Sequence, residues 1–322
     1  MSDFRVLDRR SGVGSVGMGT EKASALRVFL NLSVICLTCS QSLLTCATKS
    51  KSDVYPYSPT SANLVVEIIK LVLSFVAHGM TRFHRGWSSK RALRIAPVRL
   101  MLFALPAGFY AAKNLLQYKL LLVTSAPNYQ LLKNLNVLST GVLYKLFLNR
   151  RLSRLDSLGL LLLMLGSSVS QLEASSTSNL RIPVGVCMIA LAIAFLSGAA
   201  GVYTEIMLKR YPKSIHVQNI YMYFFGVVFN LWACWDEKQH RLLENFTPVV
   251  WFMVLNHALS GMAIAFLLKH ANSVEKVKST SLAMCLTTFI SIIFFNFELS
   301  VQFALGTTII LVALYIPTLK EA

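Results

Sequence analysis

Ten apolar stretches, each about as long as a bilayer is thick, constrain this chain more than any other feature. They run approximately over residues 27–46, 61–81, 97–117, 126–148, 156–172, 183–207, 216–235, 248–268, 278–297 and 301–319. A helix rises about 1.5 Å per residue, so crossing a hydrocarbon core of about 30 Å takes about 20 mostly apolar residues. In lipid the backbone must satisfy its own hydrogen bonds, which leaves helices or closed barrels, and runs this long read as helices. Of the 322 residues, 55% are hydrophobic and only 14% charged, which excludes an ordinary soluble domain. The expected fold class is an all-α integral membrane protein with ten transmembrane helices.

The net charge of +17 resembles a nucleic-acid signal until it is placed on this topology. Of 31 Lys and Arg, 21 fall in the two tails and in every second loop. Six fall in the intervening loops (Lys49, Lys51, Lys119, Arg181, Lys238, Arg241), and Lys70, Lys113, Lys133 and Lys145 lie within spans. The bias alternates loop by loop, so the positive-inside rule places both termini in the cytosol. The basic excess is an orientation signal toward the lipid bilayer, and nucleic acid is set aside as a partner. Residues 1–26 are polar and rich in Gly and Ser, with no cleavable leader, and read as a flexible cytosolic tail.

Residues 126–166 repeat at 273–313. Thr140 aligns with Thr287, Asn149 with Asn296, Leu152-Ser153 with Leu299-Ser300, and Leu158-Gly159 with Leu305-Gly306. The repeat sets spans 4–5 over spans 9–10 and divides the chain into 27–172 and 183–319, with 320–322 as a cytosolic end. Each half has five spans, an odd number, so the halves insert with opposite orientations. Inverted repeats of this kind place a substrate site between the halves, near mid-membrane.

Ionisable groups at that depth cost several kcal/mol unless they face a wet cavity or a partner. Lys133, Asn134 and Asn136 lie in span 4, Lys113-Asn114 in span 3, and Glu67 and Lys70 one turn apart in span 2. Glu67 and Lys70 suit either an internally neutralised pair or a cavity wall whose lysine can change partners. Pro97 and Pro106 invite a kink in span 3. Span 6 carries Ser197-Gly-Ala-Ala-Gly201, small residues that allow close helix approach, followed by Glu205. On span 7, Asn219 and Tyr223 share a face. Lys269, Glu275, Lys276 and Lys278 cluster where span 9 begins. An Asn245-Phe-Thr247 sequon precedes Pro248 close to the membrane and is expected to be unused.

Catalytic constellations, ATPase motifs and cofactor sites are missing from the sequence, so a cofactor is not expected. Gly12-x-Gly14-x-x-Gly17 has neither a preceding strand nor a βαβ unit, and Cys36-x-x-Cys39 has no second ligand pair. The six histidines are scattered and read as unspecialised.

Glu67-x-x-Lys70, Asn114, Tyr129-Gln130 leading to Leu148-Asn-Arg-x-Leu-Ser153, Ser197-Gly-x-x-Gly-Val-Tyr-x-Glu205-x-x-x-Lys209 and Gln218-Asn219-x-x-x-Tyr223 resemble the nucleotide-sugar transporter family. The likeness is to the branch of CMP-sialic acid and UDP-galactose transporters, in the form found in plants. It implies a multi-pass antiporter of the Golgi membrane that exchanges cytosolic nucleotide sugar for lumenal nucleoside monophosphate. Carried over by position, Asn114, Tyr129, Asn219 and Tyr223 line the nucleotide pocket with Ser197 nearby, and Lys70 and Lys269 belong to the same cavity. Lys113 and Lys133 add charge for phosphate. Animal CMP-sialic acid transporters carry Lys where this chain has Asn136, and their Gln-Asn-Asn in span 3 is here Lys113-Asn114-Leu115. The expected cargo is CMP or a CMP-sugar, with a UDP-sugar as the alternative. A homodimer is a further expectation for the assembly. A non-transporting Golgi scaffold is the competing class, but it has no need of lysines inside spans.

Overall fold

In the computed structural model, residues 20–48, 55–84, 100–123, 132, 134–148, 153–170, 184–211, 214–236, 242–295 and 301–316 are described. They form ten helices: α1 (Thr20–Ala47), α2 (Pro59–His84), α3 (Ala104–Val123), α4 (Leu135–Leu148), α5 (Arg154–Val169), α6 (Val184–Arg210), α7 (Ile215–Asp236), α8 (Pro248–His270), α9 (Ser273–Phe295) and α10 (Val301–Tyr315). Each falls on one of the ten apolar stretches. Segments of α1, α2, α6 and α8 are long and apolar enough to cross a membrane, and α4 and α10 are shorter apolar helices. Residues 1–19, with their glycine motif, lie outside the described residues, as do Tyr129, Lys133, Asn149 and Asn296.

Local chemistry sets the helix ends. Ser153 caps α5 in a reciprocal box, its Oγ accepting from Asp156 N (3.3 Å) while Asp156 Oδ2 accepts from Ser153 N (3.2 Å). Pro248 stands at the first position of α8, where its missing N–H costs nothing, and Thr247 is the cap. The kink invited by Pro106 takes the form of a break near the start of span 3. The chain turns at residues 102–103 and restarts as α3 at Ala104, which puts Pro106 in the first turn, where a helix tolerates it.

Large apolar side chains such as Phe29, Phe75, Leu146, Phe195 and Phe252 point outward, as they do against lipid. The interior is bound by close backbone approach, since lipid tails leave little hydrophobic drive between helices. Where α5 crosses α10, a methyl group on Gly166 would meet Gly306 O at 2.9 Å. Where α4 crosses α6, one on Gly198 would stand 3.1 Å from Thr140 N, and Ser139 Oγ donates to Ala194 O at 2.7 Å.

The most extensive helix pairs follow a rule. Moving every label by five turns the α1–α8 pair into α6–α3, α1–α9 into α6–α4, and α3–α7 into α8–α2. The pairs α2–α7, α4–α9 and α5–α10 map onto themselves. These contacts surround a central hollow reached by side chains from both halves of the chain.

A central lysine-lined cavity

The hollow has a volume of about 450 Å³, within the roughly 300–1,000 Å³ typical of small-molecule sites. It is lined from α1, α2, α3, α4, α6, α7, α8 and α9. Among the described residues, three lysines reach it: Lys70 on α2, Lys113 on α3 and Lys276 on α9. Glu67 is the one carboxylate among its described lining residues. Three ammonium groups against one carboxylate leave a positive balance, in a place where desolvation makes charge costly.

Each cation is held differently. Lys70 Nζ is 2.5 Å from Glu67 Oε1 across one helical turn, and it lies 4.5 Å from the centre of the Tyr223 ring. Two glycines make room for this pair. A methyl group on Gly226 would come within 2.6 Å of Glu67 Oε2, and one on Gly261 within 3.1 Å of Lys70 Cδ. Glu67 thus stands opposite Gly226, and Lys70 opposite Tyr223, in an antiparallel α2–α7 seam. Lys113 Nζ donates to Asn114 Oδ1 at 3.3 Å. Lys276 Nζ sits over the Tyr110 ring, 5.8 Å from its centre, and has neither carboxylate nor hydrogen-bond partner among the described residues.

Glu205 positions Lys276. Its fully buried carboxylate accepts from both Ser273 N and Ser273 Oγ at 2.7 Å, and from Lys209 Nζ at 2.7 Å. Lys209 also donates to Ala271 O. The first turn of α9 is thereby fixed against α6. A carboxylate suits that place, because the first N–H groups of a helix lack intrahelical partners. Gly201, one turn before Glu205, leaves space beside Lys276: a methyl group there would be 3.6 Å from its Nζ.

Of the residues singled out by sequence, Lys70, Lys113, Asn114, Asn136, Ser197 and Tyr223 line the cavity together. Tyr129 and Lys133 lie outside the described residues. Asn219 is fully buried, one turn from Tyr223, within the packing of α7 and off the cavity wall. Lys269 is half-buried at the end of α8 and also off the wall. Lys276 reaches the cavity instead, because the chain turns between His270 and Ser273 and starts a new helix with its own facing. Sequence reasoning also missed His257, a mid-helix residue of α8 on the cavity wall, and the aromatic Tyr110. A histidine deep in an apolar span was the available signal for the first. Among the described residues, His, Cys, Asp and Glu form no group of three or more able to hold a metal.

Comparison with known proteins gives this cavity its context. The family model described as "Nucleotide-sugar transporter" matches residues 22–318. CMP-sialic acid transporter 2 of Oryza sativa subsp. japonica is 38% identical over 313 residues, covering 95% of this chain and 88% of the relative. CMP-sialic acid transporter 4 of Arabidopsis thaliana is 39% identical over 286 residues, 87% and 81% of the two chains. A Xenopus tropicalis protein named "Probable UDP-sugar transporter protein SLC35A4" is 31% identical over 268 residues, 81% and 82%. A solved structure titled only "Crystal structure of protein" shares the fold at a TM-score of 0.70 and 17% identity, over 92% of this chain and 97% of that one. A family match over nearly the whole length, on a bundle of apolar helices around a cationic hollow, leads to one conclusion: this chain is a multi-pass membrane protein of the nucleotide-sugar transporter family.

Proposed function

We propose that this transporter exchanges cytosolic CMP-sialic acid, or a similar nucleotide sugar, for lumenal CMP across the Golgi membrane by alternating access. One observation carries the reading: among the described residues, the cavity holds Lys70, Lys113 and Lys276 against the one carboxylate Glu67. A phosphate-bearing cargo supplies the balancing charge. Charge-assisted hydrogen bonds of this kind contribute roughly 1.5–3 kcal/mol each. Tyr110 and Tyr223 offer faces for a base, and Asn114 and Asn136 offer amides to read its edge. Binding roles for Tyr129, Lys133, Ser197, Asn219 and Lys269 belong to the same proposal. Asn219 and Lys269 would act from beyond the wall.

The helix pairs that interchange when labels move by five support two five-helix repeats, inverted because five is odd, and the charge bias of the loops supports both termini in the cytosol. Rocking of one half against the other would then expose the site to each side in turn. Exchange follows if the empty carrier reorients slowly with its lysines buried and uncompensated.

A UDP-sugar cargo is the second reading, favoured by the relative named as a UDP-sugar transporter. Vesicles reconstituted with the protein and loaded with CMP or UMP separate the two. CMP-loaded vesicles should take up labelled CMP-sialic acid several-fold faster than empty ones. Uptake of labelled UDP-galactose driven by UMP alone would move the assignment to UDP-sugars, and uptake equally fast into empty vesicles would refute exchange.

A further inference from the structure

The α2–α7 seam continues beyond the cavity. Glu67 against Gly226 and Lys70 over Tyr223 fix an antiparallel register. One turn further along, Ser74 comes level with Asn219. One turn beyond that, His78 comes level with His216, and the two histidines lie within electrostatic range of each other. Ser74, His78 and Asn219 are all at least nine-tenths buried. Among the described residues, Ser74 Oγ, both ring nitrogens of His78, both amide atoms of Asn219, His216 Nδ1 and Tyr223 Oη have no hydrogen-bond partner. Buried polar atoms are normally satisfied, and several orphans in one row are the setting in which ordered water is held. The row leads from the helix ends at His78 and His216, cytosolic in the topology proposed above, to the Glu67–Lys70 pair.

That pair has its own difficulty. A phosphate that takes Lys70 from Glu67 sets two anions side by side, and like charges sharing a buried site conflict even where Lys113 and Lys276 balance the cavity as a whole. Neutralising the carboxylate removes the conflict. We propose that Glu67 takes up one proton when a nucleotide phosphate engages Lys70, and that the polar α2–α7 seam brings this proton from the cytosolic end. The inference rests on the phosphate-carrying reading. One O–H bond forms on Glu67. The proton comes from a buffer acid, which is left as its conjugate base. Among the described residues, the titratable and charged groups that share the cavity with the pair are Tyr223 on α7, His257 on α8, Lys113 and Tyr110 on α3, and Lys276 on α9. Those facing the seam's outer end are Arg82 on α2 and Lys269 on α8.

Isothermal titration of the purified full-length protein with CMP, just above neutral pH where CMP is a dianion, counts the protons. Binding heats are compared across buffers of different ionisation enthalpy, with UMP, GMP and AMP run alongside. The expected count is close to one proton taken up, falling to near zero in Glu67→Gln, which still binds. Binding with no buffer dependence would overturn the inference and leave the carrier reading intact, since Lys70 would then bridge both anions. A count that survives Glu67→Gln and vanishes in His257→Gln would overturn it as well. No binding of any nucleotide would sink the carrier reading first, and this inference with it. For the path, Ser74→Ala with His78→Leu removes orphan polar atoms, which is near neutral for folding. This variant should keep the equilibrium count and slow the uptake several-fold, followed with a pH indicator after rapid mixing. An unchanged rate would remove the seam from the path.

Discussion

Lys70 and Glu67 face each other at 2.5 Å inside a cavity that already holds two further lysines. The pair neutralises itself, yet the cavity does not. The pair reading and the cavity-wall reading of these residues are therefore compatible. The lysine has one partner now and room for another, and this tension underlies each expectation below.

Removing a cavity lysine should weaken nucleotide binding by the worth of one charge-assisted contact, about 1.5–3 kcal/mol, or roughly ten- to a hundred-fold in affinity. Lys276→Ala and Lys113→Ala are the informative substitutions, read by titration calorimetry. Lys269→Ala, off the wall, should cost less than three-fold. Equal losses at Lys269 and Lys276 would show that the cavity wall does not define the site.

Glycines at the helix crossings should tolerate no side chain. Gly306→Ala sets a methyl group within 2.6 Å of Gly166 O, backbone against backbone, and should cost about 1–3 kcal/mol or more. Gly226→Ala drives against Glu67 at 2.6 Å and should also disturb nucleotide binding. Gly79 has nothing within 4 Å, so Gly79→Ala should leave stability unchanged or raise it slightly. Thermal unfolding of the three variants in one detergent gives the ranking.

The Glu205 carboxylate serves three donors, so Glu205→Ala should destabilise the protein by at least about 2–3 kcal/mol. It should also free the start of α9, which carries Lys276. Nucleotide affinity is expected to fall along with the melting temperature. A stable variant with normal affinity would remove Glu205 from its positioning role.

Much of this was legible in the sequence, for identifiable reasons. Apolar runs of membrane length announce themselves, and the ten helices fall on them. Lys70 with Glu67 and Asn219 with Tyr223 share helix faces by spacing alone. Spacing does not tell which face meets the hollow. Asn219 lies one turn from Tyr223, yet it is fully buried and off the cavity wall. Lys269 and Lys276 differ by seven residues, which keeps a face on one continuous helix. The turn between His270 and Ser273 breaks that continuity and hands the cavity to Lys276. The kink invited by Pro106 takes the form of the turn at residues 102–103, where a proline disrupts the carbonyl four residues before it, and Pro97 lies outside the described residues.

The Asn245 sequon should carry no glycan. Its Nδ2, the atom glycosylation would modify, donates to Pro56 O at 2.9 Å, and Asn245 itself adopts a left-handed backbone (φ 60°). Thr247 is engaged as the cap of α8. Treating protein from a eukaryotic host with a glycosidase should leave its gel mobility unchanged, and a downward shift would show the loop open to modification.

The most direct test of the central claim compares CMP with cytidine, which differ only by the phosphate. Binding raises stability by mass action, by about 2.7 kcal/mol at a hundred-fold excess over Kd. CMP should raise the melting temperature of the wild type clearly, cytidine should not, and Lys113→Ala with Lys276→Ala should erase the difference. Equal shifts from the two ligands, or a CMP shift that survives loss of both lysines, would contradict the account.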